Sequence, residues 1–245
     1  NDLMLNLGNP EALRWMTDFT IRFFHDNNLY QIQQDFNFNT LPHWEKLDTP
    51  ERIGVAEMKY IAGLYAYWDA LLAAEPRITI NHCASGGRRL DLETVQRGFT
   101  FWRSDAQCFP ENDPIQNQIQ HFYLSQWYPF HSGGAWVKQH PSDEYSFFSA
   151  VATGISDCTF IYQHQAPSET EWDYADHARL LREAVRLRPY FLGDYHPLTV
   201  EPELRENWCA FQYSRPGQAG GIVIAFRRPE SPEAEECFRL HDLDL

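Results

Sequence analysis

Apolar and polar residues follow two different periods along this chain, and their alternation predicts its elements. Asn9-Pro10 followed by "EALRWMTDFTIRFF" supplies a capping side chain, a proline at the first helical position and Glu11 in the first turn, which predicts a helix start. Met16, Phe19 and Phe23 are expected to form its apolar face. In "LYQIQQDFN" the period drops to two, with Tyr30 and Ile32 alternating with Gln31, Gln33 and Asp35, as in a strand. After a loop holding Trp44 and Pro50, residues 51–74 carry Ile53, Ala56, Tyr60, Ile61, Leu64, Trp68, Leu71 and Leu72 as one long helical stripe. "RITIN" reads as a short strand, "CASGGRR" as a Gly-rich loop and "LDLETVQRG" as a short helix ending at Gly98.

The same order then recurs. "FTFWR" predicts a strand, and "DPIQNQIQHFY" a helix opened by Asp113 and Pro114. "LSQWYPFH" and "CTFIYQ" are two further strand candidates, the second followed by the helix "WDYADHARLLREAVRLR". Strands alternating with helices predict parallel strands with helices packed outside. Strands at 29–35, 78–82, 99–104, 124–131 and 158–162 number five, fewer than a closed eight-stranded barrel needs. The pattern therefore predicts an α/β fold, either a barrel lacking its first part or an open doubly wound sheet. From about Pro189 the helical period disappears. "WCAFQYS", "GGIVIAFRR" and "CFRLHDLDL" predict a small antiparallel β domain, with the boundary placed between residues 198 and 199.

Composition narrows the classes. A chain of 245 residues, 43% hydrophobic and 15% aromatic, buries one large core or two modest ones. The richest apolar run, "IAGLYAYWDALLAA", is interrupted by Asp69 and falls short of the ~20 residues of a membrane span. A net charge of -14 argues against a nucleic-acid surface. The start has neither an initiator Met nor the basic-then-apolar character of a targeting peptide, and the chain reads as truncated. Cys83, Cys108, Cys158, Cys209 and Cys237 are odd in number and scattered, which fits reduced thiols in a cytoplasmic setting better than a disulfide framework or a zinc site. Oligomeric state is left open.

Two acids change the picture. Asp35 and Asp105 fall at the carboxyl ends of predicted strands, the rim where active sites of this architecture lie. Paired carboxylates suit glycoside hydrolysis, one attacking the anomeric carbon while the other protonates the departing oxygen. The competing reading is that both acids cap the loops or helices that follow. Gly86 and Gly87 would let backbone N–H groups approach a hydroxyl; a phosphate cradle with Arg88 and Arg89 is the rival, but the spacing matches neither phosphate-binding fingerprint. "CASGG" also lacks the elbow that would make Ser85 a nucleophile. Trp102, Trp127, Tyr128 and Trp136 sit near strand ends where a sugar face could stack, and His82 and His131 read as structural, so no metal is assigned.

Together "QQDFN", "CASGGRRLDLET" and "FWRSD" closely resemble the clan of α-galactosidases that includes glycoside hydrolase family 36, and "LNLGNPEA", "YIAGLYAYWDALL" and "RPYFLGDYHPLT" resemble family segments as well. The resemblance implies about strands 4–8 of a (β/α)₈ TIM barrel, over residues 1–198, followed by the start of a C-terminal β-sandwich at 199–245. It implies retaining cleavage of terminal α-galactosyl residues with no cofactor, Asp35 as nucleophile and Asp105 as acid/base, their carboxyl groups ~5–5.5 Å apart. It further implies Gln33, Cys83, Gly86, Trp102 and Arg103 as contacts to an α-galactoside. An isolated chain lacking the first three strands would be expected to be inactive. Gln33 departs from the family pattern, in which a basic residue is common at this position, and it brings no positive charge to hold Asp35 ionised. That departure leaves a non-catalytic carbohydrate-binding homologue, or a transglycosylase on the same fold, as alternatives.

Overall fold

The computed structural model describes residues 3–99, 101–109, 111–135, 143–157, 174–215, 217–218 and 220–242. They form two compact units, 1–101 and 102–245. The expected boundary at 198/199 lies inside the second.

In the first unit, helix α1 (Pro10–Asn27) starts as its sequence predicts, with the Asn9 side chain accepting from the Glu11 N–H, and it stops at Asn28, which turns left-handed at φ 53°. Its buried face is only partly the expected one, since Met16 packs against the core. Phe19 and Phe23 are 45% and 46% exposed and stack in a ladder with Trp15, ring centroids 5.5 and 5.9 Å apart. Thr20 and Phe24 point inward instead. The reason lies on α3 (Val55–Ala74), where the buried Tyr67 hydroxyl needs a partner and finds the Thr20 hydroxyl at 3.0 Å. The residues between them include a short helix, α2 (Leu41–Glu45), that the sequence pattern did not predict.

Helix α3 buries Tyr60, Leu64, Trp68 and Leu71 of the expected stripe together with Tyr67, whereas Ile53 precedes the helix and is 82% exposed. Leu64 is fully buried at the centre of this core. Leu64→Ala is expected to cost about 2–5 kcal/mol of unfolding free energy, read from the shift of a urea denaturation midpoint. Helix α3 links two parallel strands, β1 (Gln31–Gln34) and β2 (Thr79–His82), paired from Gln31 with Thr79 to Gln34 with His82. After the short helix α4 (Leu92–Val95), β3 (Phe101–Trp102) pairs in parallel with β2 through Phe101 and His82.

In the second unit, α5 (Pro114–Leu124) opens at the predicted Asp113-Pro114 cap. The strand expected at 124–131 is displaced. Leu124 still belongs to α5, Ser125 closes that helix, and β4 is His131–Ala135, paired in parallel with β5 (Gly154–Asp157). Aromatic content marked the wrong segment. The strand that forms is "HSGGA", buried throughout, and a Cβ on Gly133 would lie 2.1 Å from the Ala150 carbonyl oxygen. Close packing, not β-propensity, selected its residues. Helix α6 (Glu144–Ala150), also unpredicted, separates β4 from β5. The strand expected at 158–162 lies outside the described residues.

Helix α7 (Tyr174–Leu187) precedes an antiparallel sheet of β6 (Asp194–Pro197), β7 (Cys209–Ser214) and β8 (Gly221–Phe226), in that order. The sheet therefore begins ahead of residue 199. The strand expected from residue 237 does not form among the described residues 237–242. Phe122, Phe147, Leu180, Phe191, Phe211 and Tyr213 share the core of this unit, so the antiparallel sheet is packed into it.

Candidate functional site

A candidate cluster in the first unit grows from the end of β1. Gln31, Gln33 and Asp35 are exposed and alternate with the half-buried Ile32 and Gln34, so one parity of the strand is open. Gln34 is held from behind by the Trp68 indole N–H, 2.7 Å from its Oε1. Asp35 is surrounded by donors. Its Oδ1 accepts from the Phe36 N–H at 2.7 Å and the Ser85 N–H at 3.3 Å, and its Oδ2 from Asn37 Nδ2 at 2.6 Å. Desolvation pushes its pKa up, but hydrogen bonds from Asn37, the Cys83 thiol and the two backbone N–H groups outweigh this and hold the carboxyl below the ordinary aspartate range.

The loop after β2 supplies that environment. Cys83 is buried and its N–H continues the strand ladder to the Gln34 carbonyl at 3.0 Å. Ser85 and Gly86 then turn left-handed at φ 47° and 81°, the second a conformation that favours glycine. This turn presents the Ser85 N–H and hydroxyl to Asn37 Oδ1, at 2.9 and 3.0 Å. Two donors on the amide oxygen leave the Asn37 NH₂ facing Asp35. Asn37 escaped the sequence reading because its role depends on a loop 48 residues away. Arg89, weighed from sequence only as part of a phosphate cradle, packs on aromatic rings: its guanidinium lies 5.1 Å from the Phe36 ring centre and 5.8 Å from that of Trp68. Burial pushes its pKa down, opposed by Tyr60, Asp91, Tyr65 and Asp35.

A separate cluster in the second unit surrounds Asp105. Strand β3 ends at Trp102, so Asp105 does not continue it; Ser104 caps a tight turn, Asp105–Cys108, by accepting from the Ala106 N–H at 3.2 Å. The turn brings Asp105, half-buried, back to Trp102, whose indole N–H donates to its Oδ1 at 2.9 Å. Arg103 is 6% exposed, and its guanidinium donates to His131 Nδ1 and Asn117 Oδ1, each at 3.1 Å. Burial pushes its pKa down to about 9, with Tyr213 pulling the other way. Tyr128 is buried and Trp127 exposed. Trp136 lies outside the described residues.

The structure thus gathers Asp35, Cys83 and Gly86 with Ser85 and Asn37 in the first unit, Gln33 sharing the open parity of β1, and it gathers Trp102 with Asp105 in the second.

Comparison with known proteins places the chain in a lineage. The melibiase family model matches residues 1–160. The chain is 24% identical to α-galactosidase C of Emericella nidulans over 254 residues, and 30% identical to the probable α-galactosidase C of Aspergillus oryzae over 252, covering 100% of this chain and 31% of each relative. The GH36 α-galactosidase AgaA from Geobacillus stearothermophilus, in complex with stachyose, matches 99% of the chain at 19% identity with a TM-score of 0.76, and AgaB from the same organism matches 98% at 18% with 0.75. Each match covers 33% of the solved chain. The chain spans about a third of the length of the curated relatives it matches. With a family model covering more than half of its residues, and homologous α-galactosidases aligned along its whole length, the chain belongs to the melibiase family.

Proposed function

We propose that this chain carries the two catalytic carboxylates of a retaining α-galactosidase, releasing terminal α-galactosyl residues from oligosaccharides or glycoconjugates by double displacement. Its family and the names of its relatives support the substrate class. The observation that carries the reading is Asp35: an exposed carboxylate at a strand's carboxyl end, below its ordinary pKa and aimed by two side chains and two backbone N–H groups. A nucleophile must be ionised before attack, and these hydrogen bonds supply what a basic residue at position 33 would otherwise supply. Asp105 is the partner that protonates the leaving oxygen and later takes a proton from water. Gln33, Cys83, Gly86 and Trp102 are assigned as contacts to the galactosyl group, whereas Arg103, buried on His131 and Asn117, is not. Strands β1 to β5 belong to the barrel, and the C-terminal β domain starts with β6 at Asp194. The chemistry uses no cofactor.

The test is NMR of the first product formed by the intact polypeptide from an aryl α-galactoside: α-galactose ahead of mutarotation is expected, and β-galactose or no turnover would remove the assignment. Galactose binding without turnover would favour a carbohydrate-binding homologue, the reading that Gln33 keeps open. Because the Asp35 pKa is depressed, the acid limb of kcat/KM should lie below the ordinary aspartate range. Asn37→Ala removes a donor to the ionised form, so that limb should move to higher pH in a pH–rate profile.

A further inference from the structure

Arg103 is a buried cation whose described partners are all neutral. Among the described residues it forms no ion pair. A guanidinium has no acceptor, so its Nη1 donates to His131 Nδ1, which fixes His131 as the neutral tautomer with its proton on Nε2. That Nε2–H donates to Ser125 Oγ at 3.0 Å. Ser125 Oγ also accepts from the Tyr213 hydroxyl at 3.2 Å, and Tyr213 in turn accepts from His121 Nε2 at 2.7 Å. His121 is clamped by stacking on Phe211, 4.3 Å between ring centres. The other branch is equally ordered: Asn117 donates to the Gly134 carbonyl at 3.2 Å, which turns its amide oxygen towards Arg103 Nη2. Glycine at 133 leaves the space the guanidinium fills, since a Cβ there would lie 2.6 Å from Nη2. Taking a charge out of water costs several kcal/mol per ion by order of magnitude, roughly, unless fixed donors and acceptors replace the solvent. This pocket satisfies the two terminal nitrogens of the guanidinium, while Nε has no partner among the described residues.

We propose that Arg103 is a positioning residue, and that its hydrogen-bond chain through His131, Ser125 and Tyr213 braces the turn carrying Asp105 against strand β7 of the antiparallel sheet. Arg103 lies between Trp102 and Ser104, and those two residues set the Asp105 carboxylate and its turn. Anchoring the side chain between them limits the motion of both. The catalytic consequence rests on Asp105 being the acid/base; the brace itself does not.

The experiment reads hydrogen exchange at the indole N–H of Trp102 by NMR of the intact, tryptophan-labelled polypeptide, with the resonance assigned by Trp102→Phe. Arg103→Lys keeps the charge but cannot span both partners, and Tyr213→Phe removes one hydroxyl while keeping the ring. Both are expected to speed Trp102 indole exchange by about fivefold or more while leaving the Trp68 indole, bonded to Gln34, within about twofold of wild type. Unchanged Trp102 exchange in a folded variant, or equal acceleration at both indoles, would overturn the brace. If Arg103→Lys fails to fold, Tyr213→Phe decides. In kinetics, Tyr213→Phe should lower kcat/KM for methyl α-galactoside by about tenfold or more but change that for a dinitrophenyl α-galactoside by less than about threefold, since only the poor leaving group needs the acid. An equal fall on both substrates would overturn the catalytic consequence, with indole exchange still deciding the brace. A wild-type protein that cleaves neither removes the hydrolase reading and leaves indole exchange to judge the brace.

Discussion

Asp35→Gly is expected to lower turnover of an aryl α-galactoside by on the order of 10⁴-fold, because no other carboxylate is assigned to attack the anomeric carbon. The variant removes the acceptor of four hydrogen bonds without adding a group that would oppose them. Asp35→Asn is a poorer probe. Its amide NH₂ would meet the Asn37 NH₂, and Asn37 cannot turn over without losing both Ser85 bonds to its oxygen. In the glycine variant, azide should restore activity. It attacks from the face opposite the leaving group, the C–N bond forms as the C–O bond breaks, and Asp105 gives its proton to the departing oxygen. The product is β-galactosyl azide. Turnover retained by Asp35→Gly without azide would rule out Asp35 as the nucleophile.

Asp105→Ala carries the second large effect, about 10²–10⁴-fold on substrates with poor leaving groups. A dinitrophenyl α-galactoside departs without a proton, so its first step should survive and a burst of phenolate should precede slow hydrolysis. Azide then displaces the Asp35 carboxylate from the galactosyl ester and yields α-galactosyl azide, the opposite anomer. Product NMR therefore distinguishes the two roles within one pair of variants. The same anomer from both, or a loss in Asp105→Ala that ignores the leaving group, would show that the roles are misassigned.

Much of this was legible in the chain. The caps at Asn9 and Asp113 are local, each made by a side chain to a backbone N–H two residues on, and the helices start where those signals place them. The period-two run at 31–35 also survives in the open parity of β1. Errors arose where identity and period were poor guides to surroundings. Aromatic density at 124–131 suggested a strand, while the buried strand formed from histidine, serine, glycine and alanine at 131–135. Phe19 and Phe23 look like core residues, yet α3 offers a hydroxyl that Thr20 answers better. Asp35, Cys83, Gly86 and Asp105 were singled out from motif and position. Arg103 was expected to touch sugar, and its two buried partners could not be foreseen from "FWRSD".

The linear sequence alone determined the alternation of strands and helices, the capped starts of α1 and α5, and the placement of two acids just beyond strand ends, because each depends on neighbours a few residues away. Only tertiary structure decided that Ser85 would aim Asn37 at Asp35 across 48 residues, and that Ser125 would meet Tyr213 across 88. Such contacts satisfy polar groups that folding removes from water, and which distant residue becomes available is settled by packing.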